Sequence, residues 1–152
     1  MKFNTDKCIF MSVTNKRKIL QHNYHINNVA LSKKELIKYL GIHIDSKLNF
    51  NQHVQEKCKR ATTVLNMLKR NLYFPPKSVK SKAYQGTVLP ILEYASNCWS
   101  PTSLKQNNSL EMVHHNAAKF VSNFYPKQGN YENFSITKIL NELKIDNGLQ
   151  NN

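Results

Sequence analysis

The chain has 152 residues, 40% of them hydrophobic and only four of them glycine, which fits one ordinary domain and excludes a collagen-like or low-complexity chain. Its 22 Lys+Arg against 9 Asp+Glu leave a net charge of +13, pointing to a polyanionic partner, nucleic acid before membrane. Three widely separated cysteines, Cys8, Cys58 and Cys98, argue against a disulfide framework or a zinc cluster and imply a reducing interior, cytoplasm or nucleus.

No apolar run approaches the ~20 residues of a membrane span, and the N-terminus lacks the apolar stretch of a secretory signal. The charge is uneven. Residues 1–74 carry 14 basic and 4 acidic side chains, residues 75–152 only 8 and 5, so the excess is concentrated in the first half as a localised basic surface.

Three stretches read as strands. Cys8–Val13 is apolar and partly β-branched. Tyr24–Leu31 centres on Asn27-Asn28, a pair that tolerates the positive φ of a tight hairpin turn. Leu36–Ile44 reads as one strand, buried on at least one side, in which Gly41 lets another backbone approach. Lys16-Arg17-Lys18 and Lys33-Lys34 occupy the connections.

From Asn49 the period changes. Val54, Cys58, Ala61, Leu65, Leu68 and Leu72 fall at spacings of four and three, the stripe of a long amphipathic helix that Pro75-Pro76 ends. A second helix starts near Lys77 and runs towards Trp99, with a break expected at Val88–Leu89 because Pro90 lies inside it. Thr102 or Ser103 caps a third helix with Leu110, Val113, Ala117, Phe120, Val121 and Phe124 on its apolar face. Ser135 caps a short last helix, and Asp146–Asn152 reads as a disordered tail.

The catalytic constellations are missing. Two-metal nucleotidyl transfer needs clustered carboxylates, yet Asp6, Asp45 and Asp146 are far apart in sequence and no Tyr-x-Asp-Asp occurs. The glycines are too scattered for a phosphate loop. His114 and His115 point about 100° apart on a helix and cannot chelate one ion together. Trp99 and Tyr94 read as structural aromatics.

Basic residues interleaved with hydrogen-bonding side chains carry more. Lys59, Thr63, Asn66 and Arg70 align opposite the apolar stripe of the long helix, a set suited to following a phosphate backbone, though also the pattern of a plain solvated face. In Lys38-Tyr39-Leu40-Gly41, Tyr39 offers a flat face to a sugar or base; a buried strand with a packing glycine is the equal alternative.

These words occur in a fixed order: MKFNTDKCIFMSVTNKR (1–17), KYLGI (38–42), KRNL (69–72), LPILEYASNCWSP (89–101) and EMVHHNAAKFV (111–121). As an ordered set, covering Met1 to about Ile145, they resemble the end of the palm and the thumb of a non-LTR (jockey-like) retrotransposon reverse transcriptase. The resemblance implies an α+β fold: a small antiparallel β-sheet remnant at 1–48 (palm end and primer-grip-like segment), a helical thumb bundle at 49–145, and the tail at 146–152. It further implies that Tyr39, Leu40 and Gly41 lie near a primer terminus and that Lys57, Lys59, Arg60, Lys69 and Arg70 face duplex phosphates.

The parent family is an RNA-directed DNA polymerase that uses Mg2+, but the residues resembling it here follow its metal-binding carboxylates. This chain alone is therefore expected to be inactive, to hold no cofactor, and to bind an RNA/DNA template–primer duplex, with the palm and fingers of an intact copy as a further partner. His114-His115-Asn116 stands where relatives carry Gln-Arg-Arg, which weakens any basic patch on that helix. Two other classes remain open on the sequence: an independently folding basic nucleic-acid-binding protein, and a protein-interaction module using an apolar strand face.

Overall fold

A computed structural model describes residue 4, residues 7–18 and residues 22–123 of the protein. The apolar stripe of four-and-three spacing becomes helix α1, Asn51–Asn71, whose buried residues include Val54, Ala61, Leu65 and Leu68. Pro76 stands at the N-cap of α2, Lys77–Thr87, where a residue without an N–H loses nothing. Pro90 forces the expected break at Val88: α2 stops, and the five-residue α3, Leu89–Glu93, begins. A 3-10 turn at Ser96–Cys98 then leads to α4, Leu104–Ser122.

Of the two capping candidates, Ser103 serves. Its hydroxyl accepts from the Gln106 N–H while the Gln106 side chain returns to the cap, a reciprocal capping box. Gln106 is itself buried, and its amide also donates to the Asn49 carbonyl at 2.8 Å and to the Asn51 side chain. The start of α4 is thereby fastened to the start of α1.

The core lies between α1 and α4, with Tyr84, Val88, Leu92 and Trp99 closing it from the intervening segment. Ala61 on α1 and Ala117 and Ala118 on α4 are wholly buried, and small side chains there permit close helix approach. Leu110, Val113, Ala117, Phe120 and Val121 form the expected face of α4; Phe124 lies outside the described residues. So do the helix expected after Ser135, the tail, Asp6 and Asp146.

The fold is α+β, with two small antiparallel ladders and one parallel pair ahead of the helices. The strands form three separate two-stranded ladders rather than one sheet. β1 (Ile9–Phe10) is far shorter than the Cys8–Val13 stretch and pairs in parallel with β4 (Ser32–Lys33), so Lys33 belongs to a strand and not to a connection. β2 (His25–Ile26) and β3 (Val29–Ala30) form the expected hairpin, with Asn27 and Asn28 at φ 50 and 62.

Leu36–Ile44 is not one strand. It folds back as β5 (Leu36–Tyr39) and β6 (Ile42–Asp45), an antiparallel hairpin with Tyr39 opposite Ile42. The turn residues Leu40 and Gly41 have φ of 46 and 80, the primed-turn geometry that matches strand twist. Gly41 takes that conformation freely; Leu40 does so against the steric cost of its Cβ. An apparent alternation across residues 36–44 concealed the turn, because both arms of a hairpin carry the same period of two.

Candidate functional site

Three contacts fix the β5–β6 hairpin against the first half of α1, and a fourth ties its turn to the end of α3. The backbone N–H of His43 donates to Nδ1 of His53 at 3.2 Å. Lys38 Nζ lies 3.9 Å from one oxygen of Glu56, and His43 Nδ1 lies 3.1 Å from the other, close enough for an ion pair but outside hydrogen-bond alignment. From the far side, the Tyr94 hydroxyl donates to the Leu40 carbonyl at 3.0 Å.

These anchors leave the hairpin tip in solvent. Tyr39 is 64% and Leu40 72% exposed, so the phenol ring and an apolar side chain in left-handed backbone project together. Beneath the tip, the hairpin, α1 and α3 enclose a cavity of about 350 Å3, walled by Gly41, Glu56, Lys57, Arg60 and Tyr94 among others. The Lys57 ammonium sits 4.5 Å from the centre of the Tyr94 ring. Burial first, then the neighbouring positive charges of Arg60 and Lys38, lower the Lys57 pKa, while Glu56 partly offsets them.

His53 is wholly buried with its ring edge-on to Trp99 at 4.9 Å. Its pKa falls to about 4, through burial first and then the charges of Lys57 and His43. A neutral ring whose Nδ1 accepts from His43 must carry its proton on Nε2. That Nε2–H has no hydrogen-bond partner among the described residues.

The eight residues expected to bind nucleic acid do not form one face. Gly41, Lys57 and Arg60 meet at the cavity. At about 100° per residue, Lys59 and Arg70 point together away from the core, while Lys57 and Arg60 lie on the flank nearer the hairpin. Thr63 and Asn66 are exposed between Lys59 and Arg70, although the Thr63 hydroxyl already donates to the Lys59 carbonyl at 3.0 Å. Lys69 is on the opposite flank, half-buried beside Tyr73 and Lys80 in a separate recess. Its pKa is lowered by burial first and then by Lys119.

Five cations spaced at 57, 59, 60, 69 and 70 cannot share one side of a helix, and the structure spreads them over three. The half-exposed Tyr94, read from the sequence as structural, is also a wall of the cavity. Trp99 is structural as expected: it is buried, and its indole N–H donates to the Tyr94 carbonyl at 3.0 Å.

His53, Glu56 and Tyr94 were missed by sequence reasoning. A signal existed for two of them. His53, Glu56, Lys57 and Arg60 stand at i, i+3, i+4 and i+7, a polar stripe beside the apolar one. Tyr94 gave none, since 54 residues separate it from its partner Leu40.

The described residues do not fit a pair of divalent cations. No group of three His, Cys, Asp or Glu among them is arranged to hold a metal. The Asp45 carboxylate is engaged by the backbone N–H groups of Lys47, Asn49 and Phe50 at 2.9–3.3 Å, which shape the turn into α1. Among the described residues no helix is long and apolar enough to cross a membrane. No family model, no curated protein and no solved structure matches the chain.

Proposed function

We propose that the chain is the palm-end and thumb portion of a non-LTR retrotransposon reverse transcriptase and that it grips a nucleic-acid duplex by its phosphates. The observation carrying this reading is the outer face of α1. Lys59 and Arg70, eleven residues apart and both exposed, run along a helix whose other side is packed into the core. Arg60 and the projecting Tyr39–Leu40 tip extend that surface at its N-terminal half.

Such a surface neutralises phosphates without reading base edges, so binding is driven by counterion release and carries little sequence preference. Lys69 is left out of this surface because its ammonium belongs to the opposite flank. The ordered words that resemble jockey-like enzymes support this parentage. The chain's role in that reading is to position a duplex, and the chemistry belongs to carboxylates that precede these words in the family.

The test is fluorescence anisotropy with an RNA–DNA hybrid at several salt concentrations. Affinity is expected to fall by about fiftyfold between about 50 and 200 mM salt for three phosphate contacts. Changing Lys59, Arg60 and Arg70 together to alanine should lower the log–log salt slope by about three. A slope unchanged by the triple substitution would overturn the reading.

A further inference from the structure

The cavity under the hairpin tip is too small for a duplex and has its own charge logic. Its volume, about 350 Å3, is at the lower end of the roughly 300–1,000 Å3 of small-molecule sites. Lys38, Lys57 and Arg60 line it, opposed by the single carboxylate of Glu56. Three cations against one anion leave two positive charges uncompensated. The rest of the wall combines His43 and His53 with an apolar side, where Tyr94 and Ile91 supply an aromatic ring and an aliphatic side chain.

We infer that this cavity is a binding site for one phosphate monoester carried on a nucleoside, its phosphate held by Lys38, Lys57 and Arg60 and its flat part resting against Tyr94 and Ile91. Charge matching favours a monoester over a backbone phosphate. A monoester carries about −1.5 to −2 at pH 7, close to the excess in the cavity, whereas an internal diester carries about −1. Arg60 supplies a planar fork suited to two phosphate oxygens, and the lysines act as point charges. The repulsion that Arg60 and Lys38 exert on the Lys57 ammonium is relieved when an anion enters between them. His53 also lines the cavity, with its Nδ1 already accepting from the His43 N–H.

This site shares Arg60 with the edge of the duplex surface and is otherwise separate from it. It uses the inner flank of α1 and the hairpin, whereas Lys59 and Arg70 point outward. The same monoester chemistry occurs in a free nucleotide and at the 5′-phosphorylated end of a strand, and the experiment separates these sources.

The full chain is titrated calorimetrically with adenosine monophosphate, with adenosine, and with a short single-stranded oligonucleotide bearing either a 5′-phosphate or a 5′-hydroxyl. Adenosine monophosphate is expected to bind at least about tenfold more tightly than adenosine, the increment of charge-assisted hydrogen bonds to phosphate. Lys38→Gln and Arg60→Gln should each weaken it by about tenfold. Glu56→Gln removes the opposing charge and should strengthen it by about threefold, a gain that misfolding cannot mimic.

A 5′-phosphorylated oligonucleotide that outbinds both its 5′-hydroxyl twin and the mononucleotide assigns the site to strand ends. Equal affinity for the phosphorylated oligonucleotide and the mononucleotide assigns it to free nucleotides. Equal binding of adenosine and its monophosphate, or unchanged affinity in both the Lys38→Gln and Arg60→Gln proteins, would overturn the proposal. Adenosine and its monophosphate involve no strand, and the 5′-hydroxyl twin measures whatever the outer face contributes, so the two readings fail separately.

Discussion

The hydroxyl of Tyr94 donates to the backbone carbonyl of Leu40 at 3.0 Å, joining the end of α3 to the tip of a hairpin 54 residues earlier. It anchors the hairpin turn from the α3 side, while His43 and Lys38 anchor the strands to α1. Tyr94→Phe keeps the ring beside Lys57 and Gly41 but removes the donor. The loss should be about 0.5–1 kcal/mol because the bond is partly solvated. Hydrogen exchange should locate it, with faster exchange at the hairpin amides and little change in α4.

Lys80 is 2% exposed, and its ammonium donates to the Tyr73 carbonyl at 3.0 Å and to the Asn123 side chain, over the ring of Phe120. It therefore sits where α1 has just ended and where α4 ends, the two places a cation best complements unpaired carbonyls. Lys80→Met retains the apolar stem and deletes the charge. It should destabilise the protein by about 2–3 kcal/mol, measured as a lower denaturant midpoint with an unchanged slope.

Gln106 closes a capping box and ties α4 to the start of α1 with one amide group. Gln106→Ala opens the capping box and at the same time leaves the half-buried Asn49 carbonyl and the Thr102 N–H without their partner. A cost of about 2–3 kcal/mol is expected, well above the ~1 kcal/mol of a lost cap alone. Asn51→Ala removes only one partner of the Gln106 amide, and its thermal shift should be clearly smaller.

Stability should fall on acidification through the histidines. Burial holds His53 at about 4, and burial, with His115 beside it, also lowers His114, whose Nδ1 lies 2.8 Å from the Tyr84 hydroxyl. Both folded pKa values lie below the unfolded value, so the unfolded chain binds more protons in between. The stabilisation is complete above about pH 6.5 and is lost as pH drops towards 4; His53 accounts for up to about 3 kcal/mol of it. Urea melts at pH 7.5, 6 and 5 check this, and His53→Gln should flatten the dependence.

Much of the architecture was written in the sequence because it rests on local rules. The four-and-three apolar stripe gave α1, Pro90 gave the break at Val88, the pair Thr102-Ser103 gave the start of α4, and Asn27-Asn28 gave a hairpin turn. Each depends on residues within a few positions of one another. The hairpin at Leu40-Gly41 failed that test, since a leucine in left-handed backbone has no local signature and is held by Tyr94 and the contacts of His43 and Lys38.

The sequence by itself determined the net charge of +13, its concentration in the first half, and the outward direction of Lys59 and Arg70, which follow from composition and helical period. Only the tertiary structure decided which cations meet. It turned Lys57 and Arg60 towards a cavity with Glu56 and Tyr94, and set Lys69 apart beside Lys80. The reason is geometric: a helix fixes the angle at which a side chain leaves, but what faces it is fixed by contacts far away in the chain.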